Sequence, residues 1–153
     1  MKTYTFYTSP IGRLLLAEEN GALTHILLHT ETFEGTRGET PLLGQARQQL
    51  EEYFAASRRA FSLPLGPAGT PFQTRVWRAL QAIPYGQTRS YGQIAAATGN
   101  PKASRAVGMA NNRNPLLIVV PCHRVIGANG ALVGYGGGLP VKEYLLQLEG
   151  GRA

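Results

Sequence analysis

The sequence predicts an α/β protein of the α+β kind, with a small antiparallel sheet and one helix first and a mainly helical part with a helix-turn-helix after them. Alternating aromatic and threonine residues near the N-terminus favour strands, and two later capping boxes followed by helically spaced apolar residues favour helices. Gly66-Pro67-Ala68-Gly69 is typical of a linker between the two parts. We therefore expect an N-terminal domain over residues 1–66 and a C-terminal domain over residues 67–153.

The N-terminal domain is expected to be a sheet covered by one helix. Its predicted strands are Thr3–Tyr7, Arg13–Glu18 and Ala22–Leu28. Asn20-Gly21 supplies the positive-φ positions of a tight hairpin, and residues 30–40 predict a loop. Leu42–Ala56 has apolar residues at helical spacing, which predicts a helix packed on the sheet. Phe61–Leu65 is a candidate edge strand.

The C-terminal domain opens with strong helix signals. Thr70-Pro71-Phe72-Gln73 is a capping box with proline at the first helical position, and Pro84 stops the helix that follows. Ser90–Gln93 is a second capping box, which opens a short helix ending near Gly99. Asn100-Pro101 is then expected to start a third helix that runs to about Ala110.

The second and third of these helices are short and joined by a tight turn, which predicts a helix-turn-helix, although such patterns also arise by chance. The third helix has mostly small side chains, so its backbone can approach a partner closely, and Arg105 is its long side chain. Lys102 in its first turn is placed to contact a phosphate. From the residues alone, a solvated surface arginine is the preferred interpretation of Arg105.

Residues 116–125 read Leu-Leu-Ile-Val-Val-Pro-Cys-His-Arg-Val and are the most informative stretch. Five successive apolar residues predict a strand buried on both faces, which Pro121 ends because it has no N–H to donate. Cys122 follows, with His123 and Arg124 directly after it. A lone cysteine is often just a small buried hydrophobe. A base and a cation beside the thiol favour a reactive cysteine instead.

The last third of the chain has two further features. Six glycines lie between Gly127 and Gly138, interrupted by Tyr135, which is typical either of a binding loop that approaches a flat ligand or of a flexible hairpin. Pro140 starts a final helix with Val141, Leu145 and Leu148 expected to face inward. Glu149 falls in the last turn, where the helix dipole disfavours an anion, so a specific partner for its carboxylate is expected.

The positive charge is concentrated in the second part of the chain. Residues 1–69 hold six Lys or Arg against seven Glu, whereas residues 70–153 hold nine Lys or Arg against two Glu. A basic domain of this kind indicates a polyanionic partner, with nucleic acid as the first candidate and a membrane surface as the second.

Composition also excludes several classes of protein. The chain has no aspartate, which removes catalytic schemes built on Asp pairs and Asp-rich metal loops. One cysteine excludes an internal disulfide, argues against a cysteine-based metal site and suits a reducing compartment. The N-terminus lacks a signal-peptide core, and no apolar stretch is long enough to span a bilayer. We therefore expect a cytoplasmic protein without a membrane partner.

Taken together, these residues resemble a known family. Pro121-Cys122-His123-Arg124-Val125, with Asn114-Pro115 before it and a Gly-Tyr-Gly-Gly-Gly loop and Leu139-Pro-Val-Lys-Glu after it, is similar to the O6-alkylguanine-DNA alkyltransferases. The resemblance is dense from about Thr70 to Gly150 and general in the N-terminal third. It implies a ribonuclease H-like N-terminal lobe and direct-reversal DNA repair. It further implies that the alkyl group of O6-alkylguanine, or of O4-alkylthymine, moves irreversibly onto the cysteine, once per molecule.

The resemblance also implies catalytic roles. Cys122 resembles the nucleophile, His123 the base acting through a water, and Glu149 the carboxylate that orients the base, as in a hydrolase triad. Asn114 resembles the residue that braces the cysteine turn. Tyr91 resembles the phenol that donates a hydrogen bond to the departing purine.

Substrate and DNA binding are assigned in the same way. The substrate residues are Val125, Tyr135, Gly136 and Arg124, with the carbonyls of Cys122 and Val125 accepting from the guanine amino group and the Tyr135-Gly136 loop covering the base. Arg105 resembles the finger that fills the stack left by a flipped nucleotide. The helix that carries it is implied to enter the minor groove. The DNA-binding residues are Arg105, Lys102, Ala103, Ser104, Ala106 and Gly108.

Further expectations complete the resemblance. Gly136 stands where relatives often carry serine, so a hydroxyl is lost and the loop is expected to be looser. No cofactor and no metal are expected, and the partner is double-stranded DNA bound by a monomer, with cooperativity on DNA left open. The alternatives are a non-catalytic DNA lesion-binding protein of similar fold, a helix-turn-helix regulator, which does not explain Cys122 with His123, and a Cys-His hydrolase, which leaves the basic half unused.

Overall fold

The computed structural model describes residues 1–132, 135 and 138–150. The chain divides into two compact units, one formed by residues 1–68 with 115–117 and the other by residues 69–114 with the chain from 118 onward. The mixture of an N-terminal sheet with a helical second unit is the predicted fold class, which is confirmed. Of the helices in the described ranges, none has the length and apolar character needed to cross a membrane.

The first unit is built on a four-stranded sheet with the order β3-β2-β1-β4. The strands are β1 (Thr3–Ser9), β2 (Gly12–Glu19), β3 (Ala22–Leu28) and β4 (Thr36–Arg37). The first three are antiparallel as predicted, and positive φ angles at Asn20 and Gly21 confirm the tight hairpin. The short β4 pairs with β1 in parallel, within the segment predicted to be a loop.

Helix α1 (Pro41–Phe54) covers this sheet. Thr40 caps it, because its hydroxyl accepts from the Leu43 N–H at 3.1 Å, and the helically spaced Leu43, Ala46 and Leu50 are fully buried. The predicted helix is therefore confirmed, although it starts one residue earlier and ends two residues earlier than expected.

The predicted edge strand at Phe61–Leu65 is wrong except at its last residue. Only Leu65 forms a bridge, to Leu23 of β3. The Pro64 carbonyl accepts from the Leu23 N–H at 2.8 Å, but proline has no N–H with which to continue the ladder.

The second unit consists mainly of four helices in its described part. They are α2 (Pro71–Gln81), α3 (Tyr91–Ala97), α4 (Ser104–Asn112) and α5 (Leu139–Leu148). The short strands β5 (Arg89–Ser90) and β6 (Val125–Ile126) pair in parallel. Both predicted capping boxes are confirmed, at Thr70 and at Ser90. The buried Trp77 indole N–H donates to the Ala110 carbonyl at 3.0 Å and so joins α2 to α4.

The predicted start of the third helix, at Pro101 after a cap at Asn100, is wrong by three residues. The Asn100 side-chain oxygen accepts from the Lys102 N–H at 3.2 Å, and the Asn100 backbone carbonyl accepts from the Ala103 N–H at 3.0 Å. These bonds form a turn before the helix, because an asparagine side chain competes well for nearby backbone donors. Ser104 is the first residue of α4, so the helix-turn-helix consists of α3, this turn and α4.

The predicted strand over residues 116–120 is also wrong. Only Leu116 forms a bridge, to Ile26, and the next three residues form a turn. Ile118 has φ of 71°, a left-handed conformation that a strand does not contain and that a β-branched residue rarely adopts. Leu116, Ile118 and Val120 are nevertheless buried, because an apolar run reports burial and not extension.

Candidate active site

Cys122 opens a single turn of 3₁₀ helix, Cys122–Arg124, rather than standing at a strand end. The turn is held from α4 and the residues just after it. The Asn114 amide donates to the Val120 carbonyl at 2.7 Å, and the buried Asn111 amide donates to the Cys122 carbonyl at 3.4 Å. The side chain that the sequence predicted as a brace therefore bonds the segment directly before the cysteine.

Behind the thiol lies a buried ionic cluster made by His123, Arg124 and Glu149. The His123 Nε2 lies 2.7 Å from Oε2 of Glu149. Arg124 donates to both carboxylate oxygens, from Nε at 2.8 Å and from Nη2 at 3.0 Å, and to the Ile83 carbonyl at 2.8 Å. Paired donation of this kind fixes a carboxylate in position as well as in charge. Glu149 thus has the specific partners that its place at the C-cap of α5 predicted.

His123 is neutral and presents a free ring nitrogen. Burial lowers the pKa of His123, and this outweighs the opposing effect of Glu149. Because a carboxylate only accepts, Nε2 carries the proton and Nδ1 is left as the acceptor. Among the described residues, Nδ1 has no hydrogen-bond partner. A buried neutral imidazole in this tautomer can accept a proton at Nδ1 and can therefore act as a base.

The Cys122 thiol is protonated at rest. Burial raises its pKa from 9.0 to about 11, against the opposing effects of the Asn114 hydrogen bond and the Lys142 charge. A rise of this size costs about 3 kcal/mol for the thiolate. The cation next in sequence, Arg124, is engaged by Glu149 and by the Ile83 carbonyl. Its assignment to substrate binding stays a prediction.

Two phenols belong to this part of the second unit. Tyr91, the first residue of α3, is half-buried, and burial followed by the charge of Cys122 raises its pKa, so the hydroxyl remains a donor. A Cβ at Gly108 would lie 3.7 Å from Cε1 of Tyr91, which places α4 beside the ring. The Tyr135 hydroxyl is buried without a hydrogen-bond partner among the described residues, and burial raises its pKa well above the ordinary value. Gly136 lies outside the described residues.

Helix α5 contributes a residue that the sequence did not single out. Lys142 is fully buried and donates to the Val125 carbonyl at 2.5 Å. The buried face of α5 is Lys142, Leu145, Leu146 and Glu149, whereas the predicted inward residues Val141 and Leu148 are only half-buried. The spacing i, i+3, i+4, i+7 of these four residues is that of one helix face and could have indicated their burial. A lysine in such a pattern, however, normally indicates a face exposed to solvent.

The predicted DNA-binding residues lie along α4 and the turn before it. Arg105 and Ala106 are exposed in the first turn of α4, and Lys102 is exposed in the preceding turn. Ala103, Ser104 and Gly108 are partly exposed. Their side chains are short, so an exposed surface with little relief surrounds the long Arg105 side chain.

Comparison with known proteins places this chain in a family. Residues 2–67 match the family described as 6-O-methylguanine DNA methyltransferase, ribonuclease-like domain, and residues 71–151 match its DNA binding domain. A cysteine-dependent methyltransferase with a helix-turn-helix is the class that fold and site define. The chain belongs to the 6-O-methylguanine DNA methyltransferase family.

Individual relatives are similar over nearly the whole chain. The constitutive methylated-DNA–protein-cysteine methyltransferase of Bacillus subtilis is 53% identical and is covered to 96%, with 97% of this chain aligned. A Methanosarcina acetivorans protein named methylated-DNA–protein-cysteine methyltransferase is 51% identical, with 96% of this chain and 97% of its own length covered. The crystal structure of Mycobacterium tuberculosis OGT in complex with DNA superimposes with a TM-score of 0.90 at 49% identity, covering 99% of this chain and 94% of that one.

Proposed function

We propose that this protein repairs double-stranded DNA by moving the alkyl group of O6-alkylguanine onto Sγ of Cys122. The observation that carries the proposal is the buried hydrogen bond of 2.7 Å between His123 and Glu149 directly beside the only cysteine. Relatives about half identical to this chain are named methylated-DNA–protein-cysteine methyltransferases, which supports the same reaction. O4-alkylthymine is proposed as a second substrate.

The reaction begins with a proton transfer. At pH 7 a thiol with a pKa near 11 is ionised in about one molecule in 10⁴, so the site needs a base at the moment of attack. His123 takes the Cys122 proton at Nδ1, directly or through one water. The imidazolium that forms is stabilised by Glu149, whose position Arg124 fixes.

Transfer itself is a displacement at carbon. The sulfur–carbon bond forms as the bond between that carbon and O6 breaks, and the electron pair stays with the purine. Tyr91, kept protonated by burial, donates a hydrogen bond as negative charge develops on the leaving base. Asn114 keeps the cysteine turn in place through the Val120 carbonyl. Val125, Tyr135 and Gly136 are proposed to bind the base.

The product is a thioether, which is a poor leaving group. The chain has no second cysteine to receive the alkyl group. Each molecule therefore acts once, and repair capacity equals the number of molecules present.

DNA is proposed to bind along α4, with Arg105 inserted into the stack in place of a flipped nucleotide. A buried thiol cannot reach O6 while the base stays stacked, which is why flipping is required. Close approach of α4 to the DNA backbone is allowed by the small residues Ala103, Ser104, Ala106 and Gly108. Lys102 is proposed to contact a phosphate. We further propose that the protein acts as a monomer in the cytoplasm.

A single-turnover experiment tests this function. The protein is incubated with a duplex containing O6-methylguanine, and the Cys122 peptide is examined by mass spectrometry for one added methyl group. We expect one adduct per molecule and an equal amount of restored guanine. The variant Cys122→Ala should bind the duplex and form no adduct. Binding by the unaltered protein without an adduct on Cys122 would instead identify a non-catalytic lesion-binding protein.

A further inference from the structure

Met109 is an exposed apolar side chain on the helix that is proposed to bind DNA. It lies in the middle of α4, and 58% of its surface is exposed, more than for any other large apolar side chain in the described part of the second unit. The exposed residues on either side of it along α4, Ala106 and Asn112, are small or polar. A methionine gains free energy when a partner covers it. The proposed function as described above gives Met109 no role.

An open groove of about 210 Å³ lies beside Met109, between α2 and α4. We call it the α2–α4 groove. Its walls are mainly apolar and include Phe72 and Gln73 of α2, together with Ala106, Met109, Ala110 and Arg113. Ala106 lies directly after Arg105 in the first turn of α4. The groove is therefore continuous with the surface that is proposed to bind DNA.

Cations border this groove. Arg75 is exposed and lies over the Phe72 ring, with its guanidinium carbon 5.6 Å from the ring centre. Arg113 is the C-cap of α4 and is also exposed. The two acidic residues of this unit, Glu143 and Glu149, belong to α5 and its C-cap, and among the described residues neither forms an ion pair with these arginines. An apolar groove with a positive border is complementary to a polyanion that also has apolar faces.

We propose that the α2–α4 groove extends the DNA interface beyond Arg105, with Met109 entering the minor groove beside the flipped nucleotide and Arg113 contacting a phosphate. This inference rests on the proposed function in taking α4 as the helix that binds DNA. Methionine is one of the apolar side chains that proteins insert into the minor groove, and the arginine guanidinium suits a phosphate.

The spacing along α4 determines where Met109 meets the DNA. Arg105, Met109 and Arg113 follow one another at intervals of four residues. They therefore lie along one side of the helix, about 6 Å apart. Successive nucleotides of one DNA strand rise by about 3.4 Å. Met109 is thus expected within about two base pairs of the nucleotide that Arg105 replaces.

The salt dependence of binding separates the apolar contact from the ionic one. Fluorescence anisotropy follows the full-length Cys122→Ala protein on a duplex that contains O6-methylguanine, at increasing salt concentrations. Adding Arg113→Ala should lower the slope of log affinity against log salt by about 0.9, because one phosphate contact is lost. Adding Met109→Ala should weaken binding about tenfold and keep the slope, because it removes apolar contact and no charge.

Arg78→Ala is the matched control for the lost charge. Arg78 is an exposed cation of α2 that does not line the groove, so its removal should leave the slope unchanged. Unchanged affinity in Met109→Ala would overturn the minor-groove contact. A slope in Arg113→Ala equal to that of the control would overturn the phosphate contact.

Disulfide cross-linking tests the position of Met109 on the DNA. Cys122→Ala removes the only cysteine of the chain, so Met109→Cys added to it supplies a single thiol. The duplex contains O6-methylguanine and, at increasing distances from it, a guanine whose 2-amino group in the minor groove bears a disulfide tether. The yield should be highest within about two base pairs of the lesion and should fall beyond them. Leu139→Cys, at an exposed apolar position of α5, should cross-link poorly at every distance.

Two results of the cross-linking would overturn the proposal. One is a yield for Met109→Cys that does not depend on distance from the lesion. The other is a disulfide-linked protein dimer formed by Met109→Cys without DNA, which would identify a second copy of this chain as the partner of the groove. Both measurements follow DNA binding alone, whereas a lack of transfer to Cys122 in the unaltered protein would reject the proposed chemistry, so the two failures are distinguishable.

Discussion

Replacing Glu149 by glutamine is expected to weaken folding and chemistry together. The carboxylate accepts two hydrogen bonds from Arg124 and one from His123, all between buried groups. Glutamine is almost the same size but has no charge, and its NH₂ group turns a donor toward other donors. Arg124 would then be a buried cation without its partner.

The size of the effect follows from the burial of both groups. Breaking one side of a buried ion pair costs about 3 to 5 kcal/mol, far above the loss for an exposed pair. For a chain of 153 residues, that loss lowers the melting temperature by about 6 to 12 °C at the lower end of the range. The transfer rate should also fall by about 10- to 100-fold, because the imidazolium formed at His123 loses its counter-charge.

Urea unfolding and single-turnover transfer from O6-methylguanine DNA measure the two effects. Glu143→Gln is the matched control, since Glu143 lies exposed on the same helix and should change the free energy of unfolding by no more than about 0.5 kcal/mol. If Glu149→Gln proved as stable as this control, the reasoning about the buried cluster would be refuted.

Three other predictions follow from the described contacts. Arg105→Ala should slow repair of duplex DNA far more than reaction with free O6-benzylguanine, and equal losses on both substrates would contradict a finger role. Asn114→Ala should cost about 1 to 3 kcal/mol of unfolding free energy in urea, because the Val120 carbonyl loses a buried donor; an unchanged urea midpoint would contradict that. Burial lowers the pKa of both His25 and His123, so the unfolded chain binds more protons near pH 6, and the free energy of unfolding should fall as pH drops below about 6.5. In a His25→Asn background the remaining slope reports His123, and a flat profile there would show that His123 is not buried in neutral form.

Local signals were the part of the fold that the sequence predicted well. Capping at Thr70 and Ser90 depends on residues three positions apart, so the sequence contains the whole interaction. The prediction of where α4 starts failed because an asparagine such as Asn100 can either cap a helix or form a turn. Which of the two it does depends on the conformation of the backbone that follows. The strand predicted over residues 116–120 was wrong because hydrophobicity alone does not distinguish a strand from a buried turn.

The candidate site divides in a similar way. His123 is adjacent to Cys122 in sequence, and Glu149 attracted attention because its position at a helix end is electrostatically unfavourable. Nothing in the sequence indicated that Lys142 is buried, since a lysine on a helix is usually exposed to solvent. Its burial depends on the 3₁₀ turn of Cys122 and on the Val125 carbonyl, which only the folded chain brings to α5.

The bridge between Leu116 and Ile26 has a consequence for synthesis of the chain on the ribosome. Residues 115–117 belong to the first unit, although 46 residues of the second unit precede them. At about 5 to 20 residues per second, the first unit waits roughly 2 to 10 s after residue 68 is made before its last segment exists. Throughout that time the backbone of β3 at Ile26 lacks its partner, because the Pro115 carbonyl that accepts its N–H has not yet been made. For that time the edge of β3 at Ile26 offers an unpaired backbone donor to which another chain could pair.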